Sequence, residues 1–133
     1  MSTKVLLCDD EIHILRAAEF KLNRAGYQVQ CSSDGEEAWQ RIIEDRPDIL
    51  ITDCQMPRLD GIGLVQRIRG NSETEDLPVV MLTAKGFELA QSELCNQWGV
   101  VAVLPKPFSP RELVRCVEQV LKTGAYEPPT PIY

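Results

Sequence analysis

Histidine, paired cysteines, basic excess and long apolar runs are scarce or missing in this sequence, and each gap closes a class of function. His13 is the only histidine, and no cysteine stands at a metal-ligand spacing from it. The five cysteines (Cys8, Cys31, Cys54, Cys95 and Cys116) are odd in number and include no CxxC pair. They read as reduced, buried thiols serving as small apolar side chains, not as a zinc site or disulfide frame. Cys54 adjoins Asp53, but successive strand residues face opposite ways, so it is expected to point away from that acid. Fourteen basic residues against twenty acidic ones leave a net charge of −6. That balance argues against direct contact with nucleic acid, whose affinity comes largely from cations on phosphates. It suits a protein that binds cations or meets a basic partner surface. No apolar run approaches the length needed to cross a membrane, and Met1-Ser2-Thr3-Lys4 lacks a signal-peptide core. The expected location is the cytoplasm.

What is present suits one domain. A chain of 133 residues with 44% hydrophobic residues can bury roughly two-thirds of its unfolded surface. Short apolar runs at 4–8, 27–31, 49–51, 78–84 and 100–104 read as strands. Between and after them, apolar residues recur every three or four positions, which predicts helices over 12–25, about 35–46, 61–69, 87–98 and 111–122. Ile14, Leu15, Ala18, Leu22 and Ala25 form the inner face of the first helix; Ala38, Trp39, Ile42 and Ile43 form that of the second. Ile62, Val65 and Ile68 do the same for the third. Asp34 and Ser109-Pro110 look like helix starts, and Gly26 and Gly124 like helix ends. Residues 1–124 are expected to form the domain. Residues 125–133, with Pro128, Pro129 and Pro131, read as an extended tail or a clipped linker. Strand–helix alternation implies an α/β fold: a parallel sheet with five helices over both faces.

In such a sheet, chemistry collects just past the carboxyl ends of the strands. The first strand ends in Asp9-Asp10-Glu11, the third in Asp53, the fourth in Thr83 and the fifth at Lys106. Converging carboxylates repel one another unless a cation lies among them. Hard oxygen ligands with room for water favour magnesium. One carboxylate can then act as nucleophile toward a phosphoryl donor, with Lys106 and Thr83 supplying charge and a hydrogen bond to the transferring group. Taken singly, these residues have plainer readings. Glu11 is a favourable first-turn charge, Lys106 a solvated lysine, Thr83 a strand-end residue, and His13 an idle surface residue.

Taken together, Asp9-Asp10, Asp53-Cys54-Gln55-Met56-Pro57 with Asp60-Gly61, Thr83-Ala84 and Lys106-Pro107-Phe108 closely resemble the receiver domain of two-component response regulators. The resemblance runs from about residue 4 to 122. It implies a doubly wound, flavodoxin-like sheet in the order 2-1-3-4-5. Asp53 would be the phosphoacceptor, with Asp10 a direct magnesium ligand, Asp9 its companion through water, and the Gln55 main-chain carbonyl a further ligand. Thr83 would be the switch hydroxyl and Lys106 the lysine that pairs with phosphate, its bond to Pro107 cis. The implied partners are a sensor histidine kinase or phosphotransfer protein, and an output partner or a missing output domain. A phosphorylation-dependent homodimer is a further option. Such a domain is a signalling switch that catalyses only its own phosphorylation and dephosphorylation.

Two departures bear on mechanism. Val103 stands where the family carries Tyr or Phe, so the signal should travel chiefly through the loop after Thr83 and the 87–98 helix. Gln55 and Lys85 flank the phosphate site, and a charged lysine cannot accept a proton from water. Slow to moderate dephosphorylation is expected, faster in Lys85→Glu. Two rival functions remain open on this topology. A hydrolase forming an aspartyl phosphate would want Asp-x-Asp after the first strand. A flavin-binding electron carrier would want a hydroxyl- and glycine-rich loop there.

Overall fold

The structure is a computed structural model that describes residues 2–83 and 97–127. Five strands, β1 (Lys4–Cys8), β2 (Gln28–Ser32), β3 (Ile49–Asp53), β4 (Val79–Thr83) and β5 (Ala102–Pro105), form one sheet in the order β2-β1-β3-β4-β5. Every pairing is parallel. Four helices are found among the described residues: α1 (Ile12–Arg24), α2 (Gly35–Glu44), α3 (Gly61–Arg69) and α4 (Pro110–Thr123). The helix expected over 87–98 lies outside the described residues, except that Gln97 and Trp98 are helical.

Strand alternation divides the core in two. Val5, Leu7, Ile49 and Ile51 join Leu15, Ala18 and Leu22 of α1 and Leu113, Val117 and Val120 of α4 on one face. Leu6 and Leu50 join Ala38 and Ile42 of α2 and Leu64, Val65 and Ile68 of α3 on the other. Each such valine, leucine or isoleucine side chain, taken fully out of water, contributes about 1.5–3 kcal/mol. β3 and β4 are buried along their whole length. That explains why they read as unbroken apolar runs and not as alternating ones.

Helix starts are set by short polar side chains. Asp34 Oδ1 accepts the Glu37 N–H at 2.9 Å, Asp60 Oδ1 that of Gly63 at 2.8 Å, and Ser109 Oγ that of Glu112 at 3.0 Å. Gly26 and Gly124 follow α1 and α4 with φ of 100° and 80°, a region that costs glycine little.

Several expectations need correction. Ile43 is half-exposed and faces water, because Ala38 and Ile42 already fill the stripe that α2 turns to the sheet. Ala25 is an exposed cap residue, and Leu64 is buried more deeply than Ile62 on α3. β2 is shifted one residue onward, to Gln28–Ser32, by its register with β1. β5 begins at Ala102, two residues late, where its pairing with Val80 starts.

Candidate functional site

Register decides which side chains meet. Cys8 pairs with Thr52 across β1 and β3, and Asp53 pairs with Leu82 across β3 and β4. Asp9 and Asp53 therefore leave neighbouring strands side by side at the C-terminal edge, and Thr83 leaves the next strand beyond. Asp53 and Thr83 are buried, at 6% and 3% exposure, whereas Asp10 turns outward. Carboxylate oxygens of Asp9, Asp10 and Asp53 all lie within 4.8 Å of one another.

Lys106 enters this group from the loop after β5. Its Nζ lies 3.0 Å from Asp9 Oδ2, 3.0 Å from Asp53 Oδ2 and 2.8 Å from Glu11 Oε1. It donates directed hydrogen bonds to Asp53 and Glu11. Its main-chain N–H bonds the Thr83 carbonyl at 2.7 Å, and the Lys106–Pro107 bond is cis. Burial acts to lower the Lys106 pKa, but the nearby carboxylates of Glu11, Asp9 and Asp53 prevail and hold it well above the ordinary lysine value.

Asp9 is the deepest of the acids, 1% exposed. Its Oδ1 accepts the Glu11 N–H at 2.9 Å, while its Oδ2 is buried and accepts no hydrogen bond. Burial raises the Asp9 pKa despite the opposing pull of the Glu11 N–H and of Lys106.

The loop after β3 is shaped by contacts that exclude side chains. A Cβ on Gly61 would collide with the Asp53 carbonyl, and one on Gly35 with the Leu59 carbonyl. Gly61 N–H bonds the Cys54 carbonyl at 2.9 Å, and Arg58 adopts a φ of 68° with its guanidinium 3.4 Å from Asp34. The Gln55 N–H reaches Asp53 Oδ1 at 3.4 Å. Asp10, Glu11, Asp53, Gln55, Met56, Pro57 and Lys106 line an open cleft of about 550 Å³.

Of the residues singled out from the sequence, Asp9, Asp10, Asp53, Gln55 and Lys106 thus meet at one cleft, with Thr83 on the adjoining strand end. Val103 lies elsewhere, opposite Met81 and packed into the core layer of α2 and α3. Lys85 lies outside the described residues. Cys54 packs into that same layer, away from Asp53 as its alternation requires. Cys8, Cys31, Cys54 and Cys116 are free thiols, and burial pushes the Cys8 pKa up to about 12. Cys95 is outside the described residues.

Glu11 is not the first-turn charge expected from the sequence. It occupies the N-cap of α1 but makes no cap bond, because its carboxylate is held by Lys106. A glutamate is a poor N-cap, and that misfit was the available hint.

The donor set fits a divalent cation. Three carboxylates in reach of one point, one of them with a buried oxygen free of hydrogen bonds, offer hard ligands. Among the described residues, Asp9, Asp10, Glu11 and Asp53 outnumber Lys106 at this cleft, so this group carries more negative than positive charge.

The chain is similar to known proteins over nearly its whole length. Residues 5–118 match the family described as the response regulator receiver domain. The chain is 42% identical over 119 residues to the probable transcriptional regulator ycf27 of Guillardia theta, covering 90% of this chain and 45% of that protein. It is 35% identical over 130 residues to the alkaline phosphatase synthesis transcriptional regulatory protein PhoP of Bacillus subtilis, covering 98% and 53%. The chain thus spans about half the length of these curated relatives. Among solved structures, chemotaxis response regulator CheY4 of Vibrio cholerae superposes with a TM-score of 0.83 at 31% identity, over 90% of this chain and 99% of that one.

Proposed function

The chain belongs to the response regulator receiver domain family, and from that premise we propose that Asp53 accepts a phosphoryl group and that its modification switches the domain between two states. The observation that carries this reading is the position of Asp53. It ends the central strand with Oδ2 3.0 Å from the Lys106 ammonium, beside the Asp9–Asp10 pair.

In the proposed reaction an Asp53 carboxylate oxygen attacks phosphorus of a phosphohistidine. The P–N bond breaks, and the leaving imidazole keeps the electron pair and takes up a proton. Asp53 becomes an acyl phosphate. Magnesium, held by Asp9, Asp10, Asp53 and the Gln55 carbonyl, would supply positive charge to the phosphoryl oxygens. Lys106 is already within ion-pair distance of the accepting oxygen, and the Thr83 hydroxyl comes from the neighbouring strand to donate a hydrogen bond. Phosphorylation then rewards only the state in which Thr83 and Lys106 close on the new charge.

The donor is a sensor histidine kinase or a phosphotransfer protein, and the site of action is the cytoplasm. The recipient is a partner protein, a second copy of the chain, or an output domain of a longer protein; the chain spans only about half the length of its transcriptional-regulator relatives. This domain itself makes no contact with nucleic acid or membrane. No helix among the described residues is long and apolar enough to cross a bilayer. Val103 leaves no aromatic ring to turn inward, so the signal travels through the segment after Thr83. Gln55 and Lys85 govern the approach of water to the acyl phosphate, and Lys85→Glu hastens its loss.

The test is incubation with magnesium and acetyl phosphate. Intact mass rises by one phosphoryl group, and Asp53→Asn abolishes the rise. An undiminished rise in that variant sinks the assignment, and turnover of an added phosphate ester would favour a hydrolase instead.

A further inference from the structure

Glu11 stands outside the proposed magnesium ligands, yet it makes the shortest of the three contacts to Lys106, 2.8 Å. The two directed hydrogen bonds from the Lys106 ammonium go to Glu11 Oε1 and Asp53 Oδ2. Asp9 Oδ2, at 3.0 Å from the same nitrogen, accepts none and stays buried. An ammonium offers three N–H groups. One N–H is thus already spare, and what keeps it off the Asp9 oxygen is the place at which Glu11 and Asp53 hold the nitrogen; without Glu11 the ammonium can turn toward that oxygen, already 3.0 Å away. Lys106, now in ion-pair range of both buried carboxylates but hydrogen-bonded only to Asp53, would then bond both and compete more strongly with any cation for them.

We propose that Glu11 is a positioning residue, drawing the Lys106 ammonium toward the cleft mouth so that the Asp9 oxygen stays open to a divalent cation. The inference rests on the proposed function only in taking magnesium as the ion. Glu11 lends itself to this part: its side chain is 57% exposed, while that of Asp9 is 2% exposed. One end of the arrangement can therefore shift with solvent while the other stays fixed in the core.

The experiment is magnesium titration by calorimetry on the unphosphorylated chain, as a double-mutant cycle. Glu11→Gln keeps the shape and removes the charge; it should weaken magnesium binding on the order of three- to tenfold at low salt. Part of that loss is plain charge and part acts through Lys106. In a Lys106→Met background the same substitution should therefore cost several-fold less. Equal losses in both backgrounds would overturn the proposal. Should Lys106→Met fail to fold, the Lys106 side-chain NMR signals in Glu11→Gln alone decide: they must move, and unchanged signals refute it. Because no phosphodonor is used, the inference survives if Asp53 proves not to accept phosphate. A wild-type chain that binds no magnesium overturns it together with the metal part of the proposed function.

Discussion

Lys106 is where burial and charge oppose each other most directly. Its side chain is only 14% exposed, a setting that by itself favours the neutral amine, yet three carboxylates within 3.0 Å keep it protonated. A lysine whose folded pKa is raised stabilises the fold fully below its ordinary value near 10.5. That contribution is lost only as pH climbs through the raised value. Between pH 7 and 10 this contribution should therefore be constant. Amine-directed acylation at pH 9 should modify the exposed Lys21 and Lys122 while sparing Lys106, as read by peptide mass mapping. Asp9 shifts in the same direction, but there the shift penalises the charged form. Its raised pKa means that its contribution is largest at low pH and declines as pH rises through the raised value, so the charged form burdens the neutral-pH fold. Asp9→Asn should stabilise the metal-free protein by about 1 kcal/mol and raise its melting temperature by a few degrees. The same variant should lose the extra stability that magnesium gives the wild type.

Among the elements, the β3–α3 connection is the one that admits least change. Gly61 sits against the Asp53 carbonyl, and main chain cannot swing aside as a side-chain tip can. Gly61→Ala should destabilise the domain by about 1–3 kcal/mol, measurable by urea unfolding, and should disturb Asp53 in the same stroke. The extent of this helix was legible from the spacing of Ile62, Val65 and Ile68, and the starts of α2 and α4 from Asp34 and Ser109, because cap signals are local; the Asp60 cap of α3 emerges only in the structure. The strand-end acids were legible for a similar reason, since each closes an apolar run. The partner of Glu11 was not, because Lys106 lies 95 residues further on and nothing near Glu11 announces it. Nor could α2 alone reveal that Ile42 turns inward and Ile43 outward, as adjacent apolar residues leave the helix's rotation open. The first residue of β5 was equally hidden. An apolar run from Val100 to Leu104 fits a strand anywhere along it, and only pairing with β4 fixes the beginning.

At the scale of the molecule the two edges of the sheet are built differently. The C-terminal edge gathers titratable side chains. The N-terminal edge is tied by Arg69, at the end of α3, whose guanidinium donates to the carbonyls of Trp98, Glu75, Leu77 and Gly99 at 2.7–3.1 Å. One side chain thereby joins the end of α3, the approach to β4 and the approach to β5. Lysine has three donors on a single nitrogen and cannot span that fork. Arg69→Lys should cost about 1–3 kcal/mol through carbonyls left unmatched, seen as a lower melting temperature. Magnesium affinity should be unchanged, since the clamp and the cleft lie at opposite ends of the strands. A guanidinium with four of its five N–H donors on main chain acts as a keel. If charge at the far rim changes as the proposed phosphorylation would have it, the hull beneath should hold its line, so that leverage goes outward and is not spent in shearing the two layers of the core.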